Sequence, residues 1–155
     1  VDLMRHDLAK HAVPGSVRTE ALCAVESFAT IHHLVSHLSA TRREEHRLVD
    51  ILQGCFPPGS MTGAPKRAAL HRLTELERQA RGVYSGALGW FGPDQCGDLS
   101  VVIRTLLLQG NGFEFQVGGG IVADSEPEAE WRETLLKARG MAAVLQFPEA
   151  RLAAL

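Results

Sequence analysis

The sequence is poor in cysteine and has no long apolar run, no excess of charge and no repeat. Its three cysteines, Cys23, Cys55 and Cys96, are odd in number and scattered, with no CxxC pair. That excludes a disulfide framework, argues against structural zinc and predicts a reducing, cytoplasmic setting. No apolar stretch reaches the roughly 20 residues of a membrane-spanning helix. The formal net charge is −2, so there is no electrostatic footprint for nonspecific nucleic-acid binding. The phosphate-cradling pattern GxxxxGK[ST] is absent. No signal-peptide pattern is visible either. The chain opens at Val1 already in a helical pattern, as a piece of a longer protein would.

What remains is 155 residues with 45% hydrophobic and 22% charged content, enough for one soluble domain with a core. Residues 1–11 read as the end of a helix closed by Pro14-Gly15. Val17 to about Ser39 reads as one or two strands, the second carrying Thr30 to Ser36. Thr41-Arg42-Arg43-Glu44 has the form of a capping box and predicts a helix to about Gln53. The loop Phe56 to Lys66 then feeds a helix to about Ala80, with Ala69, Leu73 and Leu76 inside. Three strands are expected at Val83–Phe91, Leu99–Leu108 and Phe113–Val117. Gln109-Gly110-Asn111-Gly112 forms the hairpin turn between the last two. Ser125-Glu126-Pro127-Glu128 predicts the start of a helix to about Leu145, and the tail after Pro148 is expected to fray. The class is α+β with a largely antiparallel sheet.

The chemistry gathers at Gly118 to Arg139, GGGIVADSEPEAEWRETLLKAR. Glu130, Glu133 and Lys137 fall at i, i+3 and i+7 and share a helix face. Trp131, Leu135, Ala138, Ala142 and Leu145 form the stripe expected to pack on a core. Glu126 and Glu128 complement the helix dipole. Glu130 and Glu133 lie deeper and are either an exposed face or ligands for a divalent cation, which needs no strict carboxylate spacing. Gly59 to Arg67 is a small-residue loop at a helix start, either a plain cap or a place for an anion. Arg104, in the apolar run SVVIRTLLL, requires an anionic partner, a structural carboxylate or a ligand. His33 is either a packing residue or a functional one. Tyr84 opens YSGALGW, whose glycines allow close approach to the backbone. Together these residues suit a dicarboxylate held with Mg²⁺.

The motifs VDLMRHDL, TIHHLVS, CFPPGSMTGAPKRAA, GVYSGALGWFG, VVIRTLLL and GGGIVADSEPEAEWRETLLKA occur in this order over residues 1–146. In this the chain resembles the C-terminal part of the chorismate-utilising enzymes, which include the anthranilate, aminodeoxychorismate, isochorismate and salicylate synthases. GSMTGAPK and GGGIVADS are most similar to the aminodeoxychorismate synthase component I branch, with anthranilate synthase component I as the alternative. The resemblance implies part of a four-layer α-β-β-α sandwich. It also implies a single chorismate-binding domain fragment over 1–155, with Mg²⁺ as cofactor, chorismate as substrate and a glutaminase partner supplying ammonia.

Position by position, it implies that Glu130 and Glu133 hold Mg²⁺ and that Lys137 lies near the ring carboxylate of chorismate. Tyr84 and Arg104 would grip the enolpyruvyl carboxylate with the backbone of Gly118, Gly119 and Gly120. His33 would sit near the ring and its leaving hydroxyl, as the catalytic residue, and Thr62 and Gly63 beside the ring carboxylate. The family enzymes are about three times this length. The absent part would hold a further metal glutamate, the general-acid glutamate and the lysine or threonine that separates C4 from C2 amination. His6 stands where the family usually has Asn. A noncatalytic fragment that keeps the fold, inactive alone and self-associating through an uncovered sheet face, is therefore the remaining expectation.

Overall fold

The computed structural model of the chain describes residues 1–29 and 31–145. It contains five helices and six strands among those residues: α1 (Asp2–Ala9), β1 (Arg18–Ser27), β2 (His32–Ser39), α2 (Leu48–Cys55), α3 (Gly59–Thr62), α4 (Lys66–Leu76), β3 (Ala87–Phe91), β4 (Gly97–Val101), β5 (Leu107–Gln109), β6 (Gly112–Glu114) and α5 (Pro127–Val144). The strands form three antiparallel pairs, β1-β2, β3-β4 and β5-β6. The class is α+β, as the alternation and turn signals predict. The chain divides into two compact units, Val1–Arg78 with Gly92–Cys96, and Gln79–Phe91 with Gly97 onward. Thr30 and the tail from residue 146 lie outside the described residues. Among the described residues, no helix is long and apolar enough to cross a membrane.

In the first unit the backbone at 41–43 is committed to pairing rather than to a helical turn. Thr41 C=O accepts from Val13 N–H at 2.8 Å, and Arg43 N–H donates to the His11 carbonyl at 3.0 Å. Ala12 and Arg42 form an isolated antiparallel bridge. The expected helix start at Thr41 is thereby displaced to the next acid that can cap. The Asp50 carboxylate accepts the Arg47 N–H at 2.8 Å and α2 begins at Leu48. The helix after the Phe56–Lys66 loop ends at Leu76, short of Ala80, and Leu76 itself is exposed. Leu22, Val25 and Leu34 of the β1-β2 hairpin are exposed as well.

One aspartate fastens this unit. Asp7, in the last turn of α1, is 2% exposed. Its Oδ1 lies 2.7 Å from Lys66 Nζ and 3.3 Å from Lys10 Nζ, and its Oδ2 accepts the Gly59 N–H at 3.0 Å. Lys66 Nζ also donates to the Gly54 carbonyl at 3.0 Å. Burial disfavours the Asp7 anion, but Lys66, the Gly59 N–H and Lys10 together outweigh it and hold its pKa below the usual range. Burial, reinforced by Asp7, pushes the Cys55 thiol up, so it is a poor nucleophile.

The second unit contains β3–β6 and α5. Its small core joins Ala138 and Ala142 of α5 to Phe115 and Val117. Alanines let the helix come close to the extended segment that follows β6. The expected stripe is only partly correct: Ala138 and Ala142 are buried with Met141, whereas Trp131 is exposed. The apolar run at 99–108 is not one strand. β4 ends at Val101, Val102 N–H is taken by the Gly86 carbonyl, and residues 103–106 have no partner strand among the described residues. A strand persists only where its N–H and C=O groups find partners. Arg104 accordingly sits in a bend with φ of 50°, not in a strand. The turn at Gly110-Asn111 is found as predicted, with Gln109 paired to Gly112 and Gly110 at φ of 59°.

Two stability outcomes follow in the full-length protein that carries this chain. Asp7→Ala strands Lys66 and the Gly59 N–H, and should cost about 3–5 kcal/mol in urea unfolding. A loss below about 1 kcal/mol, the scale of an exposed pair, would show that the pair is peripheral. The second outcome concerns pH. His11 and His46 meet Nδ1 to Nδ1 at 2.8 Å, so one ring donates and the other accepts. Buried His11 Nε2 has no partner. Burial first, then the His46, Lys10 and Arg43 charges, lower the His11 pKa, partly opposed by Asp50. A lowered histidine pKa means the unfolded chain binds the proton more readily, so the contribution is intact above about pH 6.5 and is lost below it. His11→Gln should flatten the stability profile between about pH 7 and 5. An unchanged slope in that variant excludes the pair as its source.

Candidate functional site

The second unit brings most of the expected site residues together. The turn before α5 is closed in both directions: Ser125 N–H donates to the Val122 carbonyl and Val122 N–H donates to Ser125 Oγ, each at 3.0 Å. The helix N-cap is Glu126, with no side-chain capping bond and with Pro127 in the first turn. The Ser125 capping box expected from the pattern is therefore not formed. The serine hydroxyl instead donates to Glu130 Oε1 at 2.6 Å. Proline tolerates this first-turn position because its missing N–H has no helical acceptor there.

Glu130, Glu133, Thr134 and Lys137 share the face of α5 that meets the glycines. A Cβ on Gly119 would lie 3.1 Å from Glu130 Oε2 and 3.7 Å from Thr134 Oγ1, and one on Gly118 would lie 2.9 Å from the Tyr84 hydroxyl. Glycine is what lets both groups reach the backbone. Lys137 Nζ donates to the Gly118 carbonyl at 3.1 Å and pairs with Glu133 Oε1 at 2.7 Å. Gly120 has open space where a Cβ would stand. Tyr84, Gly118, Gly119, Glu130, Glu133 and Lys137 thus form one neighbourhood, built from the segment before β3, the glycine segment and α5.

Around Tyr84, the Arg81 guanidinium lies 5.8 Å from the ring centroid, within cation–π reach, and donates to Ser85 Oγ at 3.2 Å. Buried Ser85 donates its N–H to the Val102 carbonyl at 2.9 Å. These contacts fix the backbone that carries the tyrosine. A cleft of about 80 Å³ beside it is lined by Arg81, Tyr84, Val102, Thr105, Glu114 and Gln116, among others. Arg104 is exposed, and no described carboxylate pairs with it.

The remaining expected residues belong to the first unit. His33, on β2 opposite Glu26, sets its ring edge-on to Phe28 with centroids 5.5 Å apart. Thr62 Oγ1 donates to the Pro58 carbonyl at 3.2 Å, and Gly63, at φ of 114°, ends α3 in a conformation that other residues rarely adopt. The Asp7–Lys66 pair described above anchors both ends of that loop. Sequence reasoning missed Asp7, Thr134 and the role of Ser125. Thr134 was open to detection, since it falls between Glu130 and Lys137 on the same helical face.

A family model described as chorismate binding enzyme matches residues 1–143. The chain is 44% identical over 146 residues to a probable chloroplastic aminodeoxychorismate synthase of Oryza sativa, covering 94% of this chain and 16% of that protein. It is 43% identical over 150 residues to anthranilate synthase component 1 of Streptomyces coelicolor, covering 97% of this chain and 29% of that protein. The crystal structure of anthranilate synthase component I from Streptococcus pneumoniae superposes with a TM-score of 0.82 at 37% identity, over 90% of this chain and 32% of that one. The chain thus spans less than a third of the length of these relatives.

The Lys137 contacts are on a partly exposed helix face. Lys137→Met should therefore lower stability by about 1 kcal/mol or less in chemical unfolding, the scale of one surface pair and one net hydrogen bond. A loss above about 3 kcal/mol, as for breaking a buried pair, would assign the lysine to the framework instead of to a ligand.

Proposed function

Since this chain belongs to the chorismate binding enzyme family, we propose that it is the chorismate-holding portion of an aminodeoxychorismate synthase component I. That enzyme converts chorismate, with ammonia from a glutaminase partner, to 4-amino-4-deoxychorismate in para-aminobenzoate and folate biosynthesis. The observation that carries the reading is the meeting of the Tyr84 hydroxyl, the Gly118–Gly119 backbone, Glu130 and Lys137 in one unit. A ligand with two carboxylates and a ring hydroxyl needs cationic and N–H donors at both ends. Tyr84 and the exposed Arg104, which has no carboxylate partner among the described residues, supply one end, with the backbone of Gly118 to Gly120. Lys137, tied to the Gly118 carbonyl, supplies the other.

Glu130 and Glu133 fit a magnesium ion by donor chemistry. Both are hard oxygen donors, and Mg²⁺ commonly takes one or two carboxylates and keeps its waters. Among the described residues there is no cluster of three or more His, Cys, Asp or Glu that could hold a metal, so two carboxylates are what this helix offers. Held by Glu130 and Glu133, such a cation would supply charge neutralisation for a substrate carboxylate. The chain's own residues bind and orient: the glycine backbone admits the ligand closely, Lys137 remains tied to Gly118, and Arg104 carries a charge that no described carboxylate neutralises. The three free cysteines support a reducing compartment such as the cytoplasm.

Anthranilate synthase component I is the second reading, favoured by the relative of that name found at nearly the same identity. Taken alone, the chain does not turn over chorismate and associates with itself through the exposed Leu22, Val25 and Leu34 of the β1-β2 hairpin.

Incubating the full-length protein with chorismate, Mg²⁺ and ammonium, and separating the products by chromatography, decides between the readings. 4-Amino-4-deoxychorismate supports the first and anthranilate replaces it with the second. Arg104→Ala should weaken chorismate binding by about 2–5 kcal/mol, as for one partner of a desolvated charge pair. Near-normal affinity by calorimetry would return Arg104 to the surface. The isolated 155-residue chain should show no turnover, and light scattering should show oligomers; turnover by a monomer refutes that part.

A further inference from the structure

Glu130 is half-buried, and no cation pairs with it among the described residues. Its one fixed contact is neutral: the Ser125 hydroxyl donates to Oε1 at 2.6 Å. The direction of that bond is imposed. Ser125 Oγ already accepts from Val122 N–H at 3.0 Å, so its proton is turned away from the turn and toward the carboxylate. The other oxygen, Oε2, faces the space left by the missing Cβ of Gly119. Ser125 lies one residue before the N-cap and gives α5 no capping bond. Its hydroxyl therefore serves the carboxylate.

We propose that Ser125 is a positioning residue that presents Glu130 to a divalent cation, locking one carboxylate oxygen and leaving the other free beside Gly119. This rests on the Mg²⁺ reading of Glu130 given above and adds the device that prepares it. A free glutamate loses side-chain entropy when it is captured by a metal. Here the rotamer is already held by the turn at residues 122–125, so less is lost on binding. Such outer hydrogen bonds commonly decide metal affinity as strongly as some ligands do. The neutral donor matters too: a lysine in its place would hold the carboxylate equally well but repel the incoming cation.

The test uses the full-length protein and Mg²⁺ alone, titrated calorimetrically into wild type, Ser125→Ala, Ser125→Thr and Glu130→Gln, with thermal unfolding of each metal-free protein. Ser125→Ala should weaken Mg²⁺ binding about tenfold or more and shift the metal-free Tm by only about 2–4 °C. Ser125→Thr, which keeps the hydroxyl, should recover most of the affinity. If Ser125→Ala fails to fold, Ser125→Cys, with a similar shape and a weak donor, should show the same loss. Unchanged Mg²⁺ affinity in Ser125→Ala, alongside loss in Glu130→Gln, would reduce Ser125 to a turn-closing residue. Unchanged affinity in Glu130→Gln would instead remove the metal reading itself, and the proposal with it.

Discussion

Close approach between α5 and the glycine segment is the constraint on which the second unit depends. Lys137 Nζ reaches the Gly118 carbonyl, and Glu130 Oε2 lies 3.1 Å from where a Cβ on Gly119 would stand. A side chain at Gly118 would crowd the Tyr84 hydroxyl, and one at Gly119 would crowd the Glu130 carboxylate. The apolar seam of α5 is small, Ala138 and Ala142 against Phe115 and Val117. Burying so little apolar area contributes only a few kcal/mol at about 25 cal/mol per Å². The unit spends packing to bring polar groups to the backbone. A framework indifferent to ligands would fill that seam with leucine.

The first unit solves a related problem with charge. Asp7 is buried, yet every polar demand on it is met by Lys66, Lys10 and the Gly59 N–H. Replacing such a cluster with apolar residues is often neutral for stability, so its value here is geometric. It fixes where the segment from Gly54 to Lys66 runs, and with it Thr62 and Gly63. Glycine is again the residue that permits contact: a Cβ on Gly59 would lie 3.2 Å from Leu3 Cβ and 3.3 Å from Asp7 Oδ2.

Local signals were legible where one short pattern determines one geometry. The Gly110-Asn111 turn, the two strands within 17–39 and the helix beginning near Pro127 all come from the residues themselves. Errors arose where a partner decides. Leu99–Leu108 alternates like one long strand, but ladder partners end at Val101. Thr41-Arg42-Arg43-Glu44 has the spacing of a cap, but its backbone is bonded to residues 11–16. Trp131 has the spacing of the apolar stripe of α5 but is exposed, and only Ala138, Met141 and Ala142 are buried on that helix. The shared face of Glu130, Glu133 and Lys137 was readable from helical geometry. Asp7 was not, because its Gly59 partner is 52 residues away. Ser125 was misread because a serine three residues before an acid looks the same whether it caps a helix or steers a carboxylate.

The two glutamates on that face are not equivalent. Glu133 already has a cation, Lys137 at 2.7 Å, across a single helical turn. Glu130 has a neutral hydroxyl and no cation among the described residues. Both lie on a partly exposed face, so Coulomb energy alone separates them by about 1 kcal/mol or less. Geometry separates them more. Glu130 is held by a closed turn and pressed toward backbone, while Glu133 is held by a long flexible amine that is 34% exposed. An incoming positive charge therefore finds one carboxylate set in place and one that must exchange partners. A cation that took Glu133 would have to displace the Lys137 ammonium, which would keep its second contact at the Gly118 carbonyl.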